Sequence, residues 1–195
     1  MNPISRLAIF ASGSGTNAEA IFKHFQNHSS IKVELLLTNN PTAAVLDKAK
    51  NFEITSIVFT KSQFSERAYV LAQLKTHQIT HIVLAGFLWL IPKNLITAYP
   101  NKIINIHPAL LPKFGGKGMY GLKVHEAVKA MGEIETGITI HEVNEKFDEG
   151  RIIFQAKCEV ASTDTPQEIA QKVQILEHKS YPIMIEGWIN QSIID

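Results

Sequence analysis

The chain has 195 residues, 45% of them hydrophobic and 19% charged, which suits one compact domain (residues 1–195) with a sizeable core and excludes a disordered composition. Nineteen basic residues against eighteen acidic ones leave a net charge of +1 with no Lys/Arg tract, which argues against a nucleic-acid partner; the lone cysteine, Cys158, excludes an intramolecular disulfide. The Met-Asn-Pro-Ile-Ser start lacks a charged stretch followed by a long apolar one, and the apolar run His81 to Ile91, ended by Pro92, is too short to span a bilayer, so a cytoplasmic protein without a membrane partner is expected.

In chain order, Leu7 to Phe10 reads as a short strand, Ser12 to Gly15 as a tight glycine loop, and Ala18, Ile21, Phe22 and Phe25 as the apolar face of a helix. The alternation continues with a strand at Val33 to Leu37, a helix at Ala43 to Phe52, a strand at Ser56 to Phe59, a helix at Glu66 to His77 and a strand at His81 to Ala85. A short helix at Pro92 to Ala98 and a strand at Ile103 to Ile106 follow. Such alternation predicts an α/β fold with an open, mostly parallel, doubly wound (Rossmann-like) sheet and helices on both faces. The long loop His107 to Gly121 precedes a helix near Leu122 to Met131. Thr136 to Val143 and Arg151 to Val160 read as strands whose link, Asn144 to Gly150, is too short for a parallel crossover, so they should form an antiparallel late pair. Asp164 or Thr165 caps a last helix opened by Pro166.

Gly13-Ser14-Gly15-Thr16-Asn17-Ala18 fits a loose dinucleotide pattern, yet the second strand runs out into Thr38, Asn39 and Asn40 without the ribose-binding carboxylate, and no Gly-Lys-Ser/Thr follows. Two readings stay open. The N–H groups of Gly15, Thr16 and Asn17 at a helix N-terminus can hold one phosphate, or the glycines merely make a turn closed by a Thr16–Glu19 capping box. A phosphate site requires Glu19 to point elsewhere.

Asn105 and His107 lie two apart in an extended segment and so project to one side at a strand end, with Pro108 keeping the backbone extended. An amide donor and an imidazole there can stabilise an oxyanion and move protons, provided that a carboxylate partners the histidine. Asp148 is the candidate: beside His107 it should raise the imidazole's pKa, whereas its plain reading is an exposed turn residue.

Asn105-Ile106-His107-Pro108 with Leu110-Leu111-Pro112, followed by Asp148-x-Gly150, resembles the folate-dependent formyltransferase superfamily. Gly13-x-Gly15-Thr16-Asn17, Leu84-Ala85-Gly86-Phe87 and Val173-Gln174-x-x-Glu177-His178 are similar to the members acting on phosphoribosylglycinamide. The resemblance implies formyl transfer from 10-formyltetrahydrofolate to the amine of phosphoribosylglycinamide in purine synthesis, with no metal. It implies Asn105, His107 and Asp148 as catalytic groups, and Gly15, Thr16, Asn17, Gln174 and Glu177 as contacts to the phosphorylated substrate. It places Arg67, Leu88, Trp89, Leu90, Ile91, Asn105, Asn144 and Phe147 around the folate. Trp89 departs from the arginine of better-known members, and Phe114 to Gly121 is longer and richer in glycine than their loop. A formyltetrahydrofolate hydrolase and a non-enzymatic nucleotide sensor are the alternatives, and the oligomeric state is left open between a monomer and a homodimer.

Overall fold

The computed structural model describes residues 4–65 and 68–191. Its elements are β1 (Ser5–Phe10), α1 (Thr16–Phe25), β2 (Ile31–Thr38), α2 (Val45–Asn51), β3 (Thr55–Val58), α3 (Lys61–Ser65), α4 (Tyr69–Thr76), β4 (His81–Leu84) and α5 (Lys93–Ala98). They continue with β5 (Ile103–His107), α6 (Leu122–Ala130), β6 (Glu135–Glu142), β7 (Ile152–Glu159) and α7 (Pro166–Gln191). One sheet runs in the order β3-β2-β1-β4-β5-β6-β7. The first five strands are parallel, whereas β6 is antiparallel to β5 and β7 to β6, as the short link between the last two strands demands.

The central strands are apolar on both faces, and their period of two divides the core. Leu7, Ile9, Val83, Ile104 and Ile106 pack on one side under α1, α2 and α7, while Ala8, Phe10, Ile82, Leu84 and Ile103 pack on the other under α3, α4 and α5. Helices therefore cover both faces of the doubly wound sheet. Since β2 and β4 flank β1 on opposite sides, the chain reverses its winding there, and the carboxyl ends of β1, β4 and β5 open onto one crevice.

The differences from the sequence reading are local. α2 starts at Val45 because the Asn40 side chain first accepts the Thr42 N–H (3.0 Å) and hydroxyl (2.9 Å), turning the chain before the helix begins. α3 was not expected, although Thr60 and Gln63 form a capping box around its first turn (2.8 and 3.3 Å). The start of the helix expected from Glu66 lies outside the described residues, and α4 covers Tyr69–Thr76. Thr165 is the cap of α7, exchanging hydrogen bonds with Glu168 (2.8 and 3.2 Å). Among the described residues no helix is long and apolar enough to cross a membrane.

Candidate active site

A cavity of about 810 Å³ occupies the crevice, within the usual range for small-molecule sites. At one end stands the glycine loop. Gly15 caps α1 in the left-handed region (φ 71), and no side chain caps the helix, so the first N–H groups of α1 have no side-chain acceptor. Glu19 does not reach back to Thr16. Its carboxylate pairs with Lys23 (2.7 Å) and with Lys48, and these hydrogen bonds hold its pKa at about 2. The capping-box alternative is thereby removed, and a negative charge is kept off the loop. A Cβ at Gly15 would lie 2.3 Å from the Val45 side chain, so glycine is required here by the approach of α2 as well as by its φ. Gly15→Val would therefore displace α2 before it tested an anion site.

The asparagines that replace the dinucleotide carboxylate brace this loop instead. Asn39 Oδ1 accepts the Ser12 hydroxyl (2.7 Å), Asn40 donates to Ser12 O (3.3 Å), and Ser12 Oγ accepts the Leu88 N–H (3.2 Å). From α7, Gln174 donates to Thr16 Oγ1 (3.1 Å), and Glu177 accepts from Asn17 Nδ2 (2.9 Å). Burial raises the Glu177 carboxyl to about 7. Asn17 Oδ1 is buried without a hydrogen-bond partner, an acceptor left over for a ligand donor. Gly15, Thr16, Asn17, Gln174 and Glu177 all line this one cavity.

At the other end, β5 delivers Asn105 and His107. Asp148 comes from the β6–β7 link, held in the left-handed region (φ 56), with its Oδ2 accepting the Gly116 N–H at 2.9 Å. His107 Nδ1 is 3.5 Å from Asp148 Oδ2, which answers the question that spacing left open. Gly150 fits because a Cβ there would lie 1.6 Å from Glu142 O. His107 Nε2 donates to Phe114 O at 2.8 Å, so Nδ1 is the ring nitrogen that faces the carboxylate.

One expectation needs correction. Burial, the largest influence, lowers the His107 pKa, while Asp148 and the Phe114 carbonyl pull it upwards without restoring it. The carboxylate acts in the expected sense, but desolvation outweighs it, and the net shift is downwards from the ordinary histidine value. Burial pushes Asp148 upwards, yet His141, His107 and the Gly116 N–H together hold its carboxyl below the ordinary aspartate value.

Two histidines that the sequence reading passed over belong here. His141 faces Asn105 across the β5–β6 ladder. Its Nδ1 donates to Glu142 O (2.8 Å), and its Nε2 lies 3.1 Å from Asn105 Nδ2; with Nε2 unprotonated it accepts one Asn105 N–H, which fixes the amide and leaves the second N–H free. His141 Nε2 also lies 3.5 Å from Asp148 Oδ1. His125, at the start of α6, lines the cavity with Nδ1 buried and without a hydrogen-bond partner; burial and then the charge of His107 depress it to about 4. Neither carried a local signal, since only the strand register and the course of the loop bring them in.

The apolar rim comes from the segment after β4. Leu88 and Leu90 are 44% and 41% exposed, whereas Ile91 is buried and Trp89 packs against Phe59, Phe64 and Phe87 at 6.0 to 6.3 Å. Phe147 lines the cavity too. Asn144 does not: its Oδ1 accepts the Lys146 N–H (2.9 Å) and shapes the turn. Arg67 lies outside the described residues. Among the described residues no cluster of histidine, cysteine or carboxylate side chains could hold a metal ion.

Residues 5–185 match the formyl transferase family. The chain is 41% identical over 182 residues to the chloroplastic phosphoribosylglycinamide formyltransferase of Arabidopsis thaliana, covering 90% of this chain but only 62% of that protein. It is 38% identical over 188 residues to the phosphoribosylglycinamide formyltransferase of Bacillus subtilis (strain 168), covering 94% of each. The crystal structure of phosphoribosylglycinamide formyltransferase from Bacillus halodurans superposes with a TM-score of 0.87 at 38% identity, covering 96% of this chain and 97% of that one. With the family matched over residues 5–185 and these likenesses spanning nearly the whole chain, the chain belongs to the formyl transferase family.

Proposed function

We propose that this chain transfers a formyl group from 10-formyltetrahydrofolate to the primary amine of phosphoribosylglycinamide, in the cytoplasm and as a single domain. The observation that carries the reading is that an uncapped helix N-terminus after β1 and the Asn105–His107–Asp148 cluster at β5, with β4 between those strands, line one cavity. A phosphorylated amine anchored at the first presents its nitrogen at the second. Gly15, Thr16 and Asn17 take the phosphate through backbone N–H groups, and Gln174 and Glu177 face the remainder of that substrate. Leu88, Leu90, Ile91 and Phe147 offer the apolar surface that a flat pterin ring needs, with Trp89 supporting it from the aromatic cluster.

The chemistry then follows from the two ring nitrogens of His107. The amine nitrogen bonds to the formyl carbon while the free Asn105 N–H donates to the oxygen on which charge develops. His107 Nδ1, the one basic position on a ring whose Nε2–H is already committed, accepts the proton that the amine sheds, and Asp148 stabilises the ring while it is charged. Return of that proton to the departing folate nitrogen accompanies cleavage of the old carbon–nitrogen bond. Incubation with both substrates should yield formylated glycinamide ribonucleotide and tetrahydrofolate. Release of formate at the same rate without the amine would instead establish the hydrolase alternative.

A further inference from the structure

The loop after β5 is held from the side away from the substrate cavity. Thr139, fully buried in the middle of β6, uses its hydroxyl completely: it donates to Ala109 O (2.7 Å) and accepts from Leu111 N–H (2.9 Å) and Gln155 Nε2 (2.9 Å). Gln155 sits opposite Thr139 in the β6–β7 ladder, and its Nε2 also donates to Leu111 O at 3.0 Å. Both protons of that amide are thus spent on one node, and three backbone groups of Ala109 and Leu111 are bound by two side chains instead of by a strand.

Three residues after Leu111 stands Phe114, whose carbonyl accepts the His107 Nε2–H. Phe114 is held at φ 58, a conformation that a bulky L-residue keeps only where its surroundings impose it. Gln155 is not part of the substrate cavity. It lines a second one, of about 280 Å³, whose wall is formed by Leu111, Pro112 and Phe114.

We infer that Gln155 is a positioning residue for formyl transfer: through the Thr139 hydroxyl and the Leu111 carbonyl it fixes the course of Leu111 to Phe114, and so places the Phe114 carbonyl that orients His107. The inference rests on the reaction proposed above for its catalytic consequence, and on the hydrogen bonds alone for its geometry. A merely structural Gln155 would serve stability and leave His107 untouched.

Gln155→Leu separates the two. It removes both donors at similar length, and the second cavity leaves room for the new side chain. Positioning predicts that kcat falls about tenfold or more, as misplacement of a reacting group does, while KM for the phosphorylated substrate stays within about twofold because the glycine loop is untouched. The NMR titration of His107 should move to lower pH, since the Phe114 carbonyl is one of the two groups that pull it upwards. Thr139→Ser, which keeps the hydroxyl, should resemble wild type, whereas Thr139→Val should reproduce Gln155→Leu. A lowered melting temperature with wild-type kcat and an unmoved titration would overturn the inference. If Gln155→Leu does not fold, Gln155→Glu, equal in size but without the donors, is decided by the same readouts. The titration uses no substrate, so a failure of the proposed reaction and a failure of the positioning role are seen separately.

Discussion

At the glycine-loop end of the cavity the donors are backbone N–H groups of one turn, spaced by the turn itself. At the β5 end the groups proposed to act are side chains, with Asn105 and His107 from β5, His141 from β6 and Asp148 from the link after it. The first end needs only a glycine and a helix start. The second needs a strand register, a left-handed aspartate and a braced loop to agree. Binding should therefore tolerate side-chain changes that chemistry does not, and single substitutions at the two ends should divide between KM and kcat.

Asn105→Ala should show the largest effect. It removes the free N–H, and turnover should fall by about 3 kcal/mol in the barrier, by comparison with other oxyanion donors, with the affinity for the phosphorylated substrate preserved. Equal losses in kcat and in substrate affinity would show that the two ends do not act separately.

Glu177 brings a pH dependence to the glycine-loop end. Its folded-state pKa, about 7, is above the ordinary glutamate value of 4.5, so its contribution to stability is fully present below 4.5 and is lost as pH rises through 7. The full loss is on the order of 3 kcal/mol. Denaturant titrations of wild type and Glu177→Gln across that window should diverge by this amount; parallel curves would place the carboxyl in water. Asn17→Asp sets a carboxylate beside the expected phosphate and beside Glu177. It should raise KM for that substrate about tenfold, or about 1.4 kcal/mol, and leave kcat alone. The smallest expected signal is optical. In a Trp188→Phe variant, a folate analogue should alter the emission of Trp89, and unchanged emission would leave Trp89 as core packing.

What the sequence disclosed divides along the same line. The glycine loop, the strand–helix alternation and the antiparallel late pair are local patterns or follow from link length, and all were legible. Asn105 and His107 were legible as an i, i+2 pair at a strand end. The Asp148 contact was legible only as a candidate, because it depends on where the β6–β7 link folds back. His141 is one alternating position in β6 until the ladder sets it opposite Asn105. Asn144 lay in the right segment, yet an asparagine just before a turn is readily taken up by the turn's own N–H groups. The upward pull of Asp148 on His107 was legible, but the net downward shift was not, because a partner charge can be read from a motif whereas the extent of burial cannot.

The central claim is that Asp148 works through His107, and the most direct test is the His107 titration together with turnover in Asp148→Asn. Wild-type His107 should titrate below the ordinary histidine value. Activity that requires its neutral form is then full above that pKa and lost as pH falls through it. Removing the carboxylate's charge takes away an upward influence, so the titration and the acid-side fall in activity should both move to lower pH. Turnover on the plateau should drop on the order of 100-fold, the charged ring having lost its partner. A folded Asp148→Asn protein whose His107 titration and plateau turnover both match wild type would contradict the account.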